Sequence, residues 1–249
     1  MKRSLLGILL ALTLGCGVAS AQWAYSGLRR FDGEHRNEIS GFLSGGQNVV
    51  TSAFVGENFA YTHHFTDRWS VTGAEEVQFI KGLVSLYAMG TYRLPVGRSS
   101  MYFDASVTNN AYTRWSTYEL LLNTSAFWQT SYFDMRFGVS FIHYYKYKVK
   151  TEYRMFTDAG YTEPLQFTIG FGANIKPRTS PWNVGVFIRN YDTYYYENWN
   201  LNWGLRFYAT LPWKDIKTFG EINIRPAGSM SQLATNYETS LKLGTKYAF

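Results

Sequence analysis

The last thirteen residues constrain the fold of this chain more than any other stretch. Tyr237, Thr239, Leu241, Leu243, Thr245, Tyr247 and Phe249 share one parity, while Glu238, Ser240, Lys242, Gly244, Lys246 and Ala248 share the other. Side chains alternate across a strand, so the run predicts a strand with one apolar face and one charged or small face. It is also long, because strands of soluble sheets usually run about 3–10 residues.

The pattern recurs upstream. Leu165, Phe167, Ile169 and Phe171 alternate with Gln166, Thr168, Gly170 and Gly172. Leu201, Trp203, Leu205 and Phe207 alternate with Asn202, Gly204, Arg206 and Tyr208, and Met135, Phe137, Val139 and Phe141 with Asp134, Arg136, Gly138 and Ser140. In Tyr118–Gln129, Leu120 and Leu122 face away from Glu119 and Asn123. Each run offers one face suited to hydrocarbon and one suited to a polar interior, with glycine where space is short.

Composition agrees with this reading. Aromatics make up 18% of the 249 residues and charged residues 17%, against about a quarter charged in ordinary soluble domains. Only the extreme N-terminus holds a long apolar run, and spanning helices need about 20 apolar residues, so a helical membrane protein is excluded. The aromatics then belong at strand ends, where Tyr and Trp rings prefer the boundary between acyl chains and water. Trp69, Trp128, Trp182 and Trp213 form one candidate belt, Tyr144–Lys148 and Tyr191–Trp199 the other.

Residues 1–21 read as a secretory signal. Lys2 and Arg3 form the basic start, Leu5–Leu14 the apolar stretch, and Ala19-Ser20-Ala21 the small-residue cleavage site. Lipid attachment at Cys16 is the rival, but Thr13 stands where that signal takes a branched aliphatic residue. Cys16 is the sole cysteine, so the mature chain has no disulfide or thiolate chemistry. Without Lys2 and Arg3 the formal charge falls from +6 to +4, too small and dispersed to argue for nucleic acid.

Compact turn signals at Thr66–Arg68, Pro95–Arg98, near Tyr132, Lys176–Pro181 and Pro212–Asp215 divide the mature chain. They are expected on the periplasmic side, and the longer connections outside. The count is twelve strands, starting near Asn37, Ala53, Trp69, Leu83, Met101, Thr117, Phe133, Pro164, Trp182, Asn200, Thr218 and Tyr237. Ten result if the Asn37 or Thr218 strand is misread. A spanning strand takes about 9–11 residues, which leaves room for short turns and modest loops. The expected fold is all-β: a closed antiparallel transmembrane β-barrel over 37–249, preceded by a periplasmic or lumenal segment, 22–36. Alternation is poorest at the start, where Glu57 and Glu75 share parity with Val55 and Val71. A bulge or an exposed strand end would explain them.

A terminal strand closing on Phe249, with Tyr247 two residues earlier and Leu241 and Leu243 before it, resembles the assembly signal of bacterial outer-membrane barrels. The match covers one strand. It implies an outer-membrane location, contact with outer-membrane lipid, and recognition of the C-terminal strand by the barrel-assembly machinery.

Enzymes exist among such barrels, but the candidates here are weak. Barrel lipases and deacylases resemble one another in a His-x-Ser pairing; the residues two places after His35, His63, His64 and His143 are Asn37, Phe65, Thr66 and Tyr145. His143 shares parity with Phe141 and lacks the acidic pair of omptin-like proteases. His63 and His64 point to opposite faces, so no metal site is suggested. Gly41–Gly46 and Gly170-Phe171-Gly172 lack the helix and Lys-Ser/Thr of a phosphate loop, and no cofactor is implied.

Parity puts Asp104, Glu119, Asp134, Arg136, Arg189, Arg206, Glu221, Lys242 and Lys246 inside the barrel. Buried charges must pair or stay hydrated. Either they neutralise one another in a largely closed barrel, or they line a narrow polar path for small solutes. Acid-specific channels of similar size resemble arginine ladders, and this mixed-sign set does not. The leading expectation is a non-enzymatic channel or structural barrel. The alternatives are a membrane-embedded hydrolase of lipid or peptide, and an accessory barrel binding a partner through its outer loops or the 22–36 segment.

Overall fold

The computed structural model describes residues 36–48, 53–79, 83–112, 117–146, 161–189, 202–210, 216–225 and 238–249. Residues 1–21, expected to be a signal peptide, the 22–36 segment except Arg36, and most long connections lie outside these residues. Twelve strands form: β1 (Asn37–Asn48), β2 (Phe54–His64), β3 (Trp69–Gln78), β4 (Leu83–Val96), β5 (Ser99–Tyr112), β6 (Thr117–Gln129), β7 (Phe133–Lys146), β8 (Tyr161–Asn174), β9 (Trp182–Arg189), β10 (Asn202–Thr210), β11 (Ile216–Arg225) and β12 (Glu238–Ala248). Each pairs antiparallel with its neighbours in sequence, and β1 pairs with β12 to close the ring. Both strands whose loss would have left ten are present.

Closure is complete at the turn end. Asn37 N–H donates to the Phe249 carbonyl at 3.0 Å, and Phe249 N–H returns the bond to Asn37 at 2.8 Å. No sheet edge is left there to recruit another strand.

The turns are built by the residues that signalled them. In the β2–β3 turn, Thr66 Oγ1 accepts from the N–H groups of Arg68 (3.2 Å) and Trp69 (3.0 Å). Thr130 does the same for Tyr132 and Phe133 at the β6–β7 turn. These are hydroxyl-closed turns. Between β4 and β5 only Gly97 and Arg98 separate the paired Val96 and Ser99, and Gly97 adopts the positive φ of 58° that a two-residue hairpin turn demands.

Several strands begin earlier than the pattern predicts. β5 starts at Ser99 because that tight hairpin pairs Ser99 at once, and β11 starts at Ile216 opposite Tyr247. β8 starts at Tyr161, before Pro164, because the β7–β8 ladder shifts register between Ser140 and Ile142. Pro164 sits at that bulge, where a residue with no N–H costs no ladder bond.

The polarity of the wall is inverted relative to a soluble protein. Leu43, Leu86, Phe103, Leu122, Phe137, Phe167, Phe171, Val186, Leu205 and Leu243 point outward and are exposed, while the buried set is mostly polar. Trp69, Trp128, Trp182, Tyr247 and Phe249 lie exposed towards the turn end, with Trp69 against Tyr92 at 4.8 Å and Tyr247 stacked on Phe249 at 5.5 Å. Trp213, the Tyr191–Trp199 run and the side chains of Tyr144–Lys148 lie outside the described residues.

β2 and β3 settle the early carboxylates. Their pairing with each other and with β1 and β4 runs without a register break, so no bulge intervenes. Glu57 and Glu75 face outward with Val55 and Val71, within three residues of the loop-side ends of their strands. Both are half-buried, and beyond Glu75 the loop-side end of β3, Glu76–Gln78, is buried, so an exposed strand end does not describe Glu75.

Candidate functional site: the charged lumen

Inward positions on all twelve strands converge on one interior. Asp104, Asp134, Arg136, Arg189, Arg206, Glu221, Lys242 and Lys246 all lie there, each less than a tenth exposed. Glu119 stands on β6 opposite buried Asn110; its side chain lies outside the described residues. Sequence parity missed Glu38 and Glu76, both buried, and the half-buried Arg93, Arg178 and Lys217. Glu38 and Glu76 had a signal, since each alternates with an outward neighbour, but the weak early pattern hid it. Arg178 had none, because it lies in the β8–β9 turn and bends inward.

Neighbouring strands bring these charges together in rows. Arg206, Glu221 and Lys242 are direct partners across β10, β11 and β12, with Arg206 Nε 3.7 Å from Glu221. Arg206 also lies 3.7 Å from Asp134, three strands away. Gly185 and Gly172 stand on the two strands between, so small wall residues separate the long side chain from its distant partner. Arg178 completes this group. Its guanidinium pairs with Asp134, its Nε donates to the Thr130 carbonyl at 3.0 Å, and its N–H donates to the Ser131 carbonyl at 3.0 Å. The β8–β9 turn is thereby pinned against the β6–β7 turn. Across the seam, Glu38 pairs with Lys246 and lies 3.5 Å from His64. His63 faces outward beside Phe65, and His143 shares the outward face of β7.

Aromatic rings are interleaved with the cations. Phe42, Phe219 and Tyr208 cluster inside on β1, β11 and β10, with Phe42 and Phe219 edge to face at 6.4 Å. Lys242 lies 4.8 Å from the Phe42 ring and Lys217 3.7 Å from Tyr208. Arg189 and Arg206 both lie over Phe187, at 4.5 and 4.7 Å. Inward glycines make room, as their alternation suggested: a Cβ at Gly204 would collide with the Phe187 ring. Cation–aromatic contacts of this kind hold long side chains against the wall.

The signs are mixed in sequence and divided in space. Among the described inward side chains, β8–β12 with the β8–β9 turn carry Arg178, Arg189, Arg206, Lys217, Lys242 and Lys246 against Glu221 alone. The arc β1–β7 carries Glu38, Glu76, Asp104 and Asp134 with Arg93 and Arg136. A low-dielectric wall focuses such an arrangement into a field across the lumen.

No protein-family model matches the chain, and no curated protein does. Solved structures do. The KdgM porin in complex with disordered oligogalacturonate aligns with a TM-score of 0.53 at 10% identity, covering 85% of this chain and 99% of that one. An outer-membrane channel from Pseudomonas putida F1 gives 0.57 at 10%, covering 89% and 100%. The translocator domain of the autotransporter NalP from Neisseria meningitidis gives 0.54 at 11%, covering 92% and 93%. At these identities the likeness is one of fold, and the fold is that of outer-membrane β-barrels.

Proposed function

We propose that this chain is an integral outer-membrane protein whose barrel serves as a narrow, non-enzymatic channel for small polar solutes. The observation that carries the reading is the inverted wall: exposed Leu, Val and Phe outside, and buried Arg, Lys, Asp and Glu inside. Hydrocarbon outside and water inside are the surroundings that make both faces favourable at once. Twelve strands lie between the side-chain-filled eight-stranded barrel and the wide pores of sixteen or more, which fits a restricted path. The similar solved structures include a porin and a channel. The signal peptide would export the chain, the C-terminal strand ending at Phe249 would direct assembly, and the turn end would face the periplasm.

Single-channel recording of the purified protein in planar bilayers tests this directly. Discrete openings are expected, with anions favoured because the described lumen carries more cations than carboxylates. Replacing Arg136, Arg189 and Arg206 together by Gln should move the reversal potential in a salt gradient towards cation preference. A silent bilayer from correctly folded protein overturns the reading.

A further inference from the structure

We propose that Phe187, Arg189 and Arg206 form an oxyanion-binding subsite on the lumenal wall of β9–β11, selecting solutes that bear a carboxylate or a phosphate. The inference deepens the channel reading and rests on it for its part in permeation.

Three features converge. Phe187 pairs with Gly204 on the next strand and its ring fills the space a Cβ would take there. The ring therefore lies against the backbone and forms a flat platform inside the barrel. Two guanidiniums share that platform, Arg189 and Arg206 at 4.5 and 4.7 Å from its centroid, so these like charges sit within about 9 Å of each other. Both side chains are at least nine-tenths buried, where water screens repulsion poorly and a bound anion between them is favoured.

The edges of the two guanidiniums are positioned as well. Arg189 Nη2 donates to Asn223 Oδ1 at 3.2 Å, and Arg206 is drawn between Glu221 and Asp134 at 3.7 Å each. These two contacts are longer than close charge-assisted bonds of about 2.7–2.9 Å. Planar guanidinium donors match carboxylate and phosphate oxygens two at a time. Lys242, next to Glu221 in the same row, adds positive charge without a fork.

Isothermal titration of the full mature barrel, refolded in detergent, tests the site with three probes: benzoate, its neutral isostere benzamide, and inorganic phosphate. Benzoate or phosphate is expected to bind saturably, weakening several-fold as salt is raised, with benzamide at least tenfold weaker. Whichever anion binds tighter identifies carboxylate or phosphate as the preferred group. Arg189→Gln and Arg206→Gln should each weaken binding about tenfold, a single lost charge-assisted contact. Phe187→Leu should weaken it several-fold with charge unchanged, and Arg189→Lys should fail to restore it. Arg98→Gln, in the exposed β4–β5 turn, should match the parent. Equal binding of benzamide and benzoate, anion binding indifferent to Arg189 and Arg206, or no saturable binding by either anion overturns the proposal. A barrel that conducts in bilayers yet binds neither anion ends the subsite and spares the channel. One that binds but never conducts does the reverse.

Discussion

Gly204 shows how much of the lumen depends on one missing methyl group. Placing a Cβ there drives it into the Phe187 ring, and the ring in turn supports two arginines. Gly204→Ala is therefore expected to destabilise the barrel by about 1–3 kcal/mol, the range for overpacking a filled interior. Adding Phe187→Leu should recover much of that loss, because contacting residues do not contribute independently. Urea unfolding midpoints of the two single variants and the double variant, refolded into lipid vesicles, give the coupling. At this scale the sequence was half legible. Which face Arg189 or Asp134 occupies followed from counting by twos. That Arg206 reaches Asp134 across two intervening strands did not, because such proximity is set by side-chain length and the small residues between, and parity records neither. Arg178 was invisible for a different reason: a turn has no alternation to read.

Among the elements, β12 is the one for which two separable roles, in the wall and in assembly, are proposed. Its outward side chains Leu241, Leu243, Tyr247 and Phe249 are each about half exposed, so they touch whatever surrounds the barrel. Leu243→Arg, near the middle of the strand, should cost about 2–4 kcal/mol in vesicle refolding, the penalty for a cation facing mid-bilayer. Phe249→Ala should leave vesicle refolding almost unchanged but lower the amount of folded protein recovered from the outer membrane of expressing cells. If both measurements fall together, Phe249 acts on stability and the assembly role lapses. The strands themselves were legible where alternation was long, as in β7, β8 and β12. Their starts slipped where local chemistry intervened: the Gly97 hairpin pairs Ser99 immediately, and the bulge at Pro164 lets β8 continue past a residue that normally ends strands.

On the scale of the whole molecule, the inverted wall makes folding and surroundings inseparable. The mature barrel should fold only with detergent or lipid, and once folded should migrate faster in SDS before boiling than after, since a closed ladder exposes no strand edge for detergent to unpick. A water-soluble monomer that folds without amphiphile would contradict the architecture. The division of charge also belongs to this scale, because it appears only when β8–β12 and β1–β7 become opposing arcs of one ring. Read linearly, the same residues are a mixture of signs.

The reciprocal bonds between Asn37 and Phe249 mean that the ring has a seam in its covalent chain but none in its hydrogen bonding. Geometrically, no strand is first. A permuted chain that links Phe249 to Asn37 through a short flexible tether and opens between Gly97 and Arg98 should still refold in vesicles to a barrel of the same stability, within about 1–2 kcal/mol for the altered loop entropy. In cells that permutant should go astray, because its final strand would then end at Gly97 instead of Phe249. The hydrogen-bonded ring is thus cyclic, while the address proposed for its C-terminal strand is linear.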